Sequence, residues 1–244
     1  YNAMQKVDRF NYSQFYIEDG YKELLLPANE NGNYQIEKNA LHIWPRGRFM
    51  LIALPNEDGS FTCTLFMPYE NHEYAFNDLD SDEKINAFFK TIFPDFHALM
   101  PNLIENWHQN PLSSLSIVRC YPWTMGKFAL MGDSCHATVP FYGQGMNAGF
   151  EGCFVLDQLM QKHGEDWQAC FDEYSKIRKP DGDGVQDLSM HNFIVMRDKT
   201  ADPKFLLQKK IELHFSNQIL LNGRHKTHQQ RRPQLQLPLH LKDS

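Results

Sequence analysis

Ala129-Leu130-Met131-Gly132-Asp133-Ser134-Cys135-His136-Ala137, followed closely by Pro140-Phe141-Tyr142-Gly143-Gln144-Gly145-Met146-Asn147-Ala148-Gly149, is the stretch on which the fold turns. An apolar segment, Lys127–Met131, reads as a short strand that delivers an aspartate into a turn. Glycines at 143 and 145 let backbone amides approach a ligand closely, and a helix opening near Met146 aims its partial positive end at the same place. A strand, a turn and a helix start in that order predict a site for something flat and electron-rich.

An isoalloxazine ring meets that description, because its reduced form carries negative charge on the pyrimidine side, where a helix amino end stabilises it. Asp133 is placed to accept hydrogen bonds from ribityl hydroxyls. Gly-Asp-x-x-His-Ala taken alone is equally an ordinary helix start with Asp133 as its cap. Pro140 and Gly143-Gln144-Gly145-Met146-Asn147 at this spacing make the ligand reading the stronger one. Cys135 and His136 suggest an acid or nucleophile pair, but adjacent residues on a helix point apart, so both are assigned to packing.

Upstream, the text is written in strands: Tyr21–Leu26, Leu41–Trp44, Phe49–Leu54 and Phe61–Met67, separated by Asn31-Gly32-Asn33, Arg46-Gly47 and Asp58-Gly59-Ser60. These predict consecutive antiparallel strands joined by hairpins. In Phe49–Leu54 the alternation is blurred by Met50, Leu51, Ile52 and Leu54, which predicts a sheet covered on both faces. A helix is expected over Asp80–Phe93, capped by Asp80 and ended by Pro94, and Met100–Ser116 reads as irregular before a strand at Ser116–Cys120. Downstream, helices are expected at Asp166–Arg178, on Trp167, Phe171, Tyr174 and Ile177, and from Gly184 to Arg197, parted by Lys179-Pro180-Asp181-Gly182.

Composition narrows the classes. The 244 residues, 42% hydrophobic and 13% aromatic, can bury a sizeable core without staples. A net charge of −6 offers no broad basic surface for nucleic acid. Five scattered cysteines with no Cys-x-x-Cys pair suggest neither a disulfide framework nor a zinc cage, and no metal site is expected. No apolar run approaches membrane-spanning length. Residues 1–10 do not resemble a secretory signal, so cytoplasmic placement is expected.

With these residues on the page, the sequence resembles the class A FAD-dependent aromatic hydroxylases, and within them the kynurenine-hydroxylating branch. Leu41-His42-Ile43-Trp44-Pro45-Arg46, Phe49–Asn56, Ser60–Phe66 and Asp187-Leu188-Ser189-Met190 carry the resemblance beyond the Gly-Asp segment, over about Arg9 to Ile219. It implies an α+β portion of a flavoprotein hydroxylase fold: an antiparallel substrate-domain sheet plus the strand, Gly-Asp turn and helix of the FAD domain. It implies FAD as cofactor and NADPH and dioxygen as co-substrates, with 3-hydroxylation of L-kynurenine through a peroxyflavin. Gly132, Asp133, Pro140, Gly143, Gln144, Gly145, Met146 and Asn147 then lie at the flavin. Leu41, Met50, Ile52, Leu54, Phe66, Pro140, Phe141, Gln144, Asn192 and Met196 then line the substrate pocket, with Asn192 on the amino-acid end. No side chain need act as acid or base, since the flavin carries the chemistry. In eukaryotic members of the family the resemblance implies the mitochondrial outer membrane instead of the cytoplasm.

One departure stands out: no Gly-x-Gly-x-x-Gly occurs, so the dinucleotide fold that would hold the ADP half of FAD has no counterpart in this sequence. The chain is therefore expected to be a C-terminal portion that needs that domain. Divisions are expected at 1–115 (substrate sheet and one helix), 116–165 (Gly-Asp part of the FAD domain), 166–221 (helical) and 222–244, a Gln-rich basic tail foreign to the fold or unordered. The competing functions are a flavin hydroxylase for another aromatic acid and a non-catalytic remnant of the family.

Overall fold

The computed structural model describes residues 2–6, 8–199, 203–222 and 239–241. Packing divides the chain into two units, one made of Tyr1–Ile17 with Ser114–Val195, the other of Glu18–Ser113 with Met196–Ser244. The packing thus draws its lines elsewhere than the expected divisions at 115, 165 and 221. Residues 1–17 go with the segment that contains the Gly-Asp turn, and 116–195 form one body with them.

The sheet is built from β1 (Asn11–Leu26), β2 (Leu41–Pro45), β3 (Met50–Pro55), β4 (Phe61–Pro68), β5 (Leu112–Tyr121) and a short final strand, in the order β5-β1-β4-β3-β2 and then the final strand. β2, β3 and β4 follow one another as antiparallel neighbours, as expected, but β1 begins at Asn11 rather than Tyr21 and pairs antiparallel with β4 instead of forming a hairpin with β2. The turns are those the glycines foretell. Arg46 N–H donates to the Phe49 carbonyl across Gly47 at φ 69°, while Asp58 accepts from the Ser60 amide beside Gly59 at φ 88°. A side chain at 59 would also strike the Gly32 carbonyl at 2.7 Å.

In the second unit, one face of the sheet packs Leu24, Trp44, Leu51, Ala53, Cys63 and Leu65 against three helices, α1 (Asp82–Ile92), α2 (Pro94–Leu99) and α3 (Leu103–Gln109). Aromatic rings dominate this core: Phe89 alone lies 5.3 to 6.0 Å, centroid to centroid, from Phe88, Phe93, Phe96 and Trp107. Three local expectations are corrected here. Ser81, not Asp80, caps α1 by accepting from the Lys84 amide, and Asp80 pairs with the Lys84 ammonium. Pro94 ends α1 but at once opens α2, where its missing N–H costs nothing. The supposedly irregular Met100–Ser116 holds α3 and the start of β5, because Leu103 and Trp107 bury themselves in the aromatic core.

In the first unit the chain continues through β6 (Thr124–Met125) and β7 (Phe128–Ala129), α4 (Asp133–His136), α5 (Gly145–His163) and α6 (Trp167–Ile194). The strand expected at Lys127–Met131 is only the Phe128–Ala129 pair with Thr124–Met125. The two helices expected after Asp166 are one, α6, which runs through Pro180 and ends in a π-helical turn at Val195–Lys199. Asp166 caps it, accepting from the Ala169 amide at 3.0 Å. Tertiary packing overrides the Pro-Asp-Gly break: Gly182 fits against Trp123 and His136, where any side chain would stand 2.9 Å from the indole. Beyond lie α7 (Pro203–Asn222) and β8 (Leu239–Leu241), which pairs parallel with β2; the remainder of the 222–244 tail lies outside the described residues.

Candidate flavin and substrate site

The Gly-Asp turn and the glycine loop come together in the first unit. Gly132 sits at φ 58°, a conformation that β-carbons disfavour, and its carbonyl accepts from the amides of Cys135 and His136 to start α4. Ser134 locks the turn, its hydroxyl donating to the Met131 carbonyl at 2.6 Å and accepting from the Met131 amide. Asp133 is therefore not a cap. Its carboxylate is exposed and takes no hydrogen bond from the described residues, so it is available to a ligand.

Across from this turn, Gly143 adopts the left-handed conformation at φ 64° and delivers the chain into α5. The first intrahelical bond of α5 is Ala148 N–H to the Gln144 carbonyl at 2.8 Å, and among the described residues no side chain caps the end. The amides of Gly145, Met146 and Asn147 are thus the open donors of a 19-residue helix, with the partial positive charge that such an end carries. Gln144 instead accepts from the Asn147 side-chain amide at 3.0 Å. A β-carbon at Gly149 would stand 3.9 Å from the Gly132 α-carbon, so the first turns of α5 lie directly against the Gly-Asp turn.

The buried neighbours of this loop are inert by their environment. Burial pushes the Cys135 thiol far above its usual range, and pushes Cys120 up to about 11. His136 is held below its ordinary value, chiefly by burial, with the nearby Arg178 cation adding to the effect. Neither Cys135 nor His136 is poised to act as a nucleophile or an acid, in accord with their assignment to packing.

The predicted substrate residues separate. Phe141 is buried and stacks on Phe193 with centroids 4.4 Å apart, and the Asn192 side-chain amide donates to the Phe141 carbonyl. Both hold the loop in place; Pro140 and Gln144 stay accessible beside it. Asn192 and Met196 stand four residues apart where α6 passes into the π-helical turn Val195–Lys199. In the second unit, the register pairs Met50 with Phe66 and Ile52 with Ile43, and one step beyond the His42–Ala53 pair sets Leu41 beside Leu54. Leu41, Met50, Ile52, Leu54 and Phe66 therefore share the sheet face opposite the aromatic core. Met50 and Phe66 are buried, and exposure grows along β3 to 42% at Leu54. The sheet is covered on both faces at its Met50 end and opens at the other.

A profile of the family described as FAD binding domain matches residues 45–189, more than half of the chain. The chain belongs to the FAD binding domain family. It is 55% identical over 217 residues to kynurenine 3-monooxygenase of Flavobacterium psychrophilum, covering 88% of this chain and 48% of that protein. Kynurenine 3-monooxygenase of Sus scrofa is 46% identical over 210 residues, covering 85% and 44%. The chain spans about half the length of these curated relatives. Among solved structures it is similar to 2-methyl-3-hydroxypyridine-5-carboxylic acid oxygenase, with a TM-score of 0.62 at 21% identity over 81% of this chain and 53% of that one. HpxO of Klebsiella pneumoniae, crystallised as an FAD complex, gives 0.60 at 17% identity over 87% and 54%. These likenesses make the fold that of an FAD-binding hydroxylase, α+β as expected, with FAD as the family's cofactor.

Sequence reasoning missed the role of α6. Of Trp167, Phe171, Tyr174 and Ile177, taken as its inner face, Tyr174 is buried but Trp167 and Ile177 are 49% and 43% exposed, while Arg178, Gly182, Gln186 and Ser189 are buried. The four-residue spacing from 174 to 186 was the available signal. Three of those four residues are polar or glycine, so an apolar period does not reveal them.

Proposed function

We propose that this chain carries the ring-facing side of the FAD site and an apolar substrate face of an NADPH-dependent monooxygenase that 3-hydroxylates L-kynurenine. The observation that carries the reading is the uncapped amino end of α5 laid against the Gly-Asp turn, with Asp133 free beside it. These residues fit FAD: open amide donors for a ring that becomes negative on reduction, a carboxylate for ribityl hydroxyls, and glycines where a β-carbon would intrude on nothing but ligand. Bound FAD would supply the redox chemistry that couples NADPH and dioxygen to hydroxylation of the ring. The amides of Gly145, Met146 and Asn147 stabilise negative charge without moving, and Asp133 orients the sugar chain. Leu41, Ile52 and Leu54, at the open end of the sheet face that Met50 and Phe66 continue inward, offer an apolar surface to an aromatic ring. The site is completed by a dinucleotide-binding segment for the ADP half; the exposed apolar stripe Met146, Phe150 and Phe154 along α5 supports such a neighbour.

Flavin titration of the chain, alone and mixed with a separately expressed dinucleotide-binding half from a kynurenine 3-monooxygenase relative, tests the proposal. Tight FAD uptake and kynurenine-stimulated NADPH oxidation are expected from the mixture and not from the chain alone. A mixture that binds FAD but responds to salicylate or 4-hydroxybenzoate in place of kynurenine refutes the substrate. A folded mixture that takes up no FAD refutes the site.

A further inference from the structure

We infer that Arg178 is a positioning residue for the ligand-facing end of α5, an inference that rests on reading that end as the flavin site. Its side chain is only 3% exposed, and a guanidinium so placed is costly unless each charge finds a partner. Nη1 donates to Glu151 Oε2 at 3.0 Å and to Asp181 Oδ2 at 2.8 Å, and Nη2 donates to the Ala148 carbonyl at 3.2 Å. Two of the three acceptors belong to the first two turns of α5. Ala148 directly follows Met146 and Asn147, whose amides are among the open donors.

The contact is one tooth of a longer rack. One turn earlier on α6, Tyr174 backs onto Gly152, where a β-carbon would lie 3.3 Å from the phenol oxygen; one turn later, Gly182 lies on His136 and Trp123. A further turn on, Gln186 donates to the carbonyls of Val118 and Ala137 at 2.6 and 2.7 Å. The steps 174 to 152 and 178 to 148 run in opposite directions along the two helices and set their register. Sliding or rotating α5 by one residue would pull Glu151 and the Ala148 carbonyl off a buried charge. Since a preorganised donor acts only when correctly aimed, the fork of Arg178 fixes where the amides of residues 145–147 point. It touches neither flavin nor substrate.

Amide hydrogen exchange and 15N shifts of the whole chain, measured without flavin, test this in Arg178→Met, Arg178→Lys and Glu151→Gln. In Arg178→Met the amides of residues 145–152 should exchange about tenfold faster or more, while residues 156–163 of the same helix keep their protection. Arg178→Lys should fall between, since it restores charge without the fork. Unchanged shifts and exchange at 145–148 in a folded Arg178→Met overturn the inference. Should Arg178→Met not fold, Glu151→Gln, which leaves the guanidinium paired with Asp181, must loosen the same amides, and exchange identical to the parent overturns it. FAD titration with a dinucleotide-binding half present is a separate readout. Loosened amides with no FAD uptake by even the parent protein refute the flavin reading and sustain the anchoring of α5.

Discussion

The aromatic core of the second unit and the polar line along α6 in the first are buried by opposite means. Around α1 to α3 the core is a mass of rings, Phe49, Phe61, Phe88, Phe89, Phe93, Phe96 and Trp107, held by area and dispersion with few directional demands. Along α6 the buried line is Tyr174, Arg178, Gly182, Gln186 and Ser189, where the Arg178 and Gln186 donors meet particular carbonyls and Gly182 fits a particular gap. The first kind of core tolerates exchange among hydrophobic residues of similar volume. The second tolerates little, because a polar group that loses its partner keeps the cost of its burial. The second kind stands behind the open helix end, beside an apolar cluster of Cys120, Trp123, Cys135, Leu159, Cys170 and Tyr174.

Three substitutions and one titration can break or sharpen this contrast, beginning with the largest effect. Phe89→Ala should destabilise the second unit by about 3 to 5 kcal/mol, read by denaturant unfolding followed through exchange of the β3 and β4 amides. A cost near that of an exposed position would deny the aromatic core its role. Gly182→Ala should cost the first unit about 1 to 3 kcal/mol, because the new methyl would stand 2.9 Å from the Trp123 ring. Gly184→Ala, two residues along the same helix with nothing within 4 Å, should instead stabilise by roughly 0.5 to 1 kcal/mol. If both changes acted alike, close packing at 182 would not be what joins the two halves of α6.

The titration separates the units by pH. His136 is held neutral by burial, below its ordinary 6.5, so protons bind more tightly to the unfolded chain than to the folded one. The stability this confers is fully present above pH 6.5 and is lost as pH falls below it, with a slope of at most about 1.4 kcal/mol per pH unit. Exchange of the α5 and α6 amides measured from pH 7.5 to 5 should show that loss, and His136→Gln should flatten it. An unchanged slope in that variant would assign the acid sensitivity to another group.

Much of this was legible beforehand, and the misses share a cause. The strands from Leu41 to Met67 were found within a residue or so at each end, because period-two patterning and the Gly47 and Gly59 turns are local signals. The loop at 143–147 was equally legible, since left-handed backbone and an open helix end need glycine where glycine stands. Lys179-Pro180-Asp181-Gly182 misled for the opposite reason: it is a local signal for a break that distant residues overrule. The contact of the Asn192 amide with the Phe141 carbonyl, 51 residues away in sequence, was likewise invisible to local pattern.

The sequence by itself thus determined the α+β class, the hairpins that join β2, β3 and β4, and the glycine loop before α5, all of which follow from side-chain period and backbone permissiveness over a few residues. Only the tertiary structure decided that α6 is continuous, that Arg178, Gln186 and Ser189 are buried on its inner face, and that Arg178 grips α5 beside the open amides. Those depend on which atoms meet across long separations, and a buried charge, a glycine gap or a donated amide has no meaning until its partner is in place.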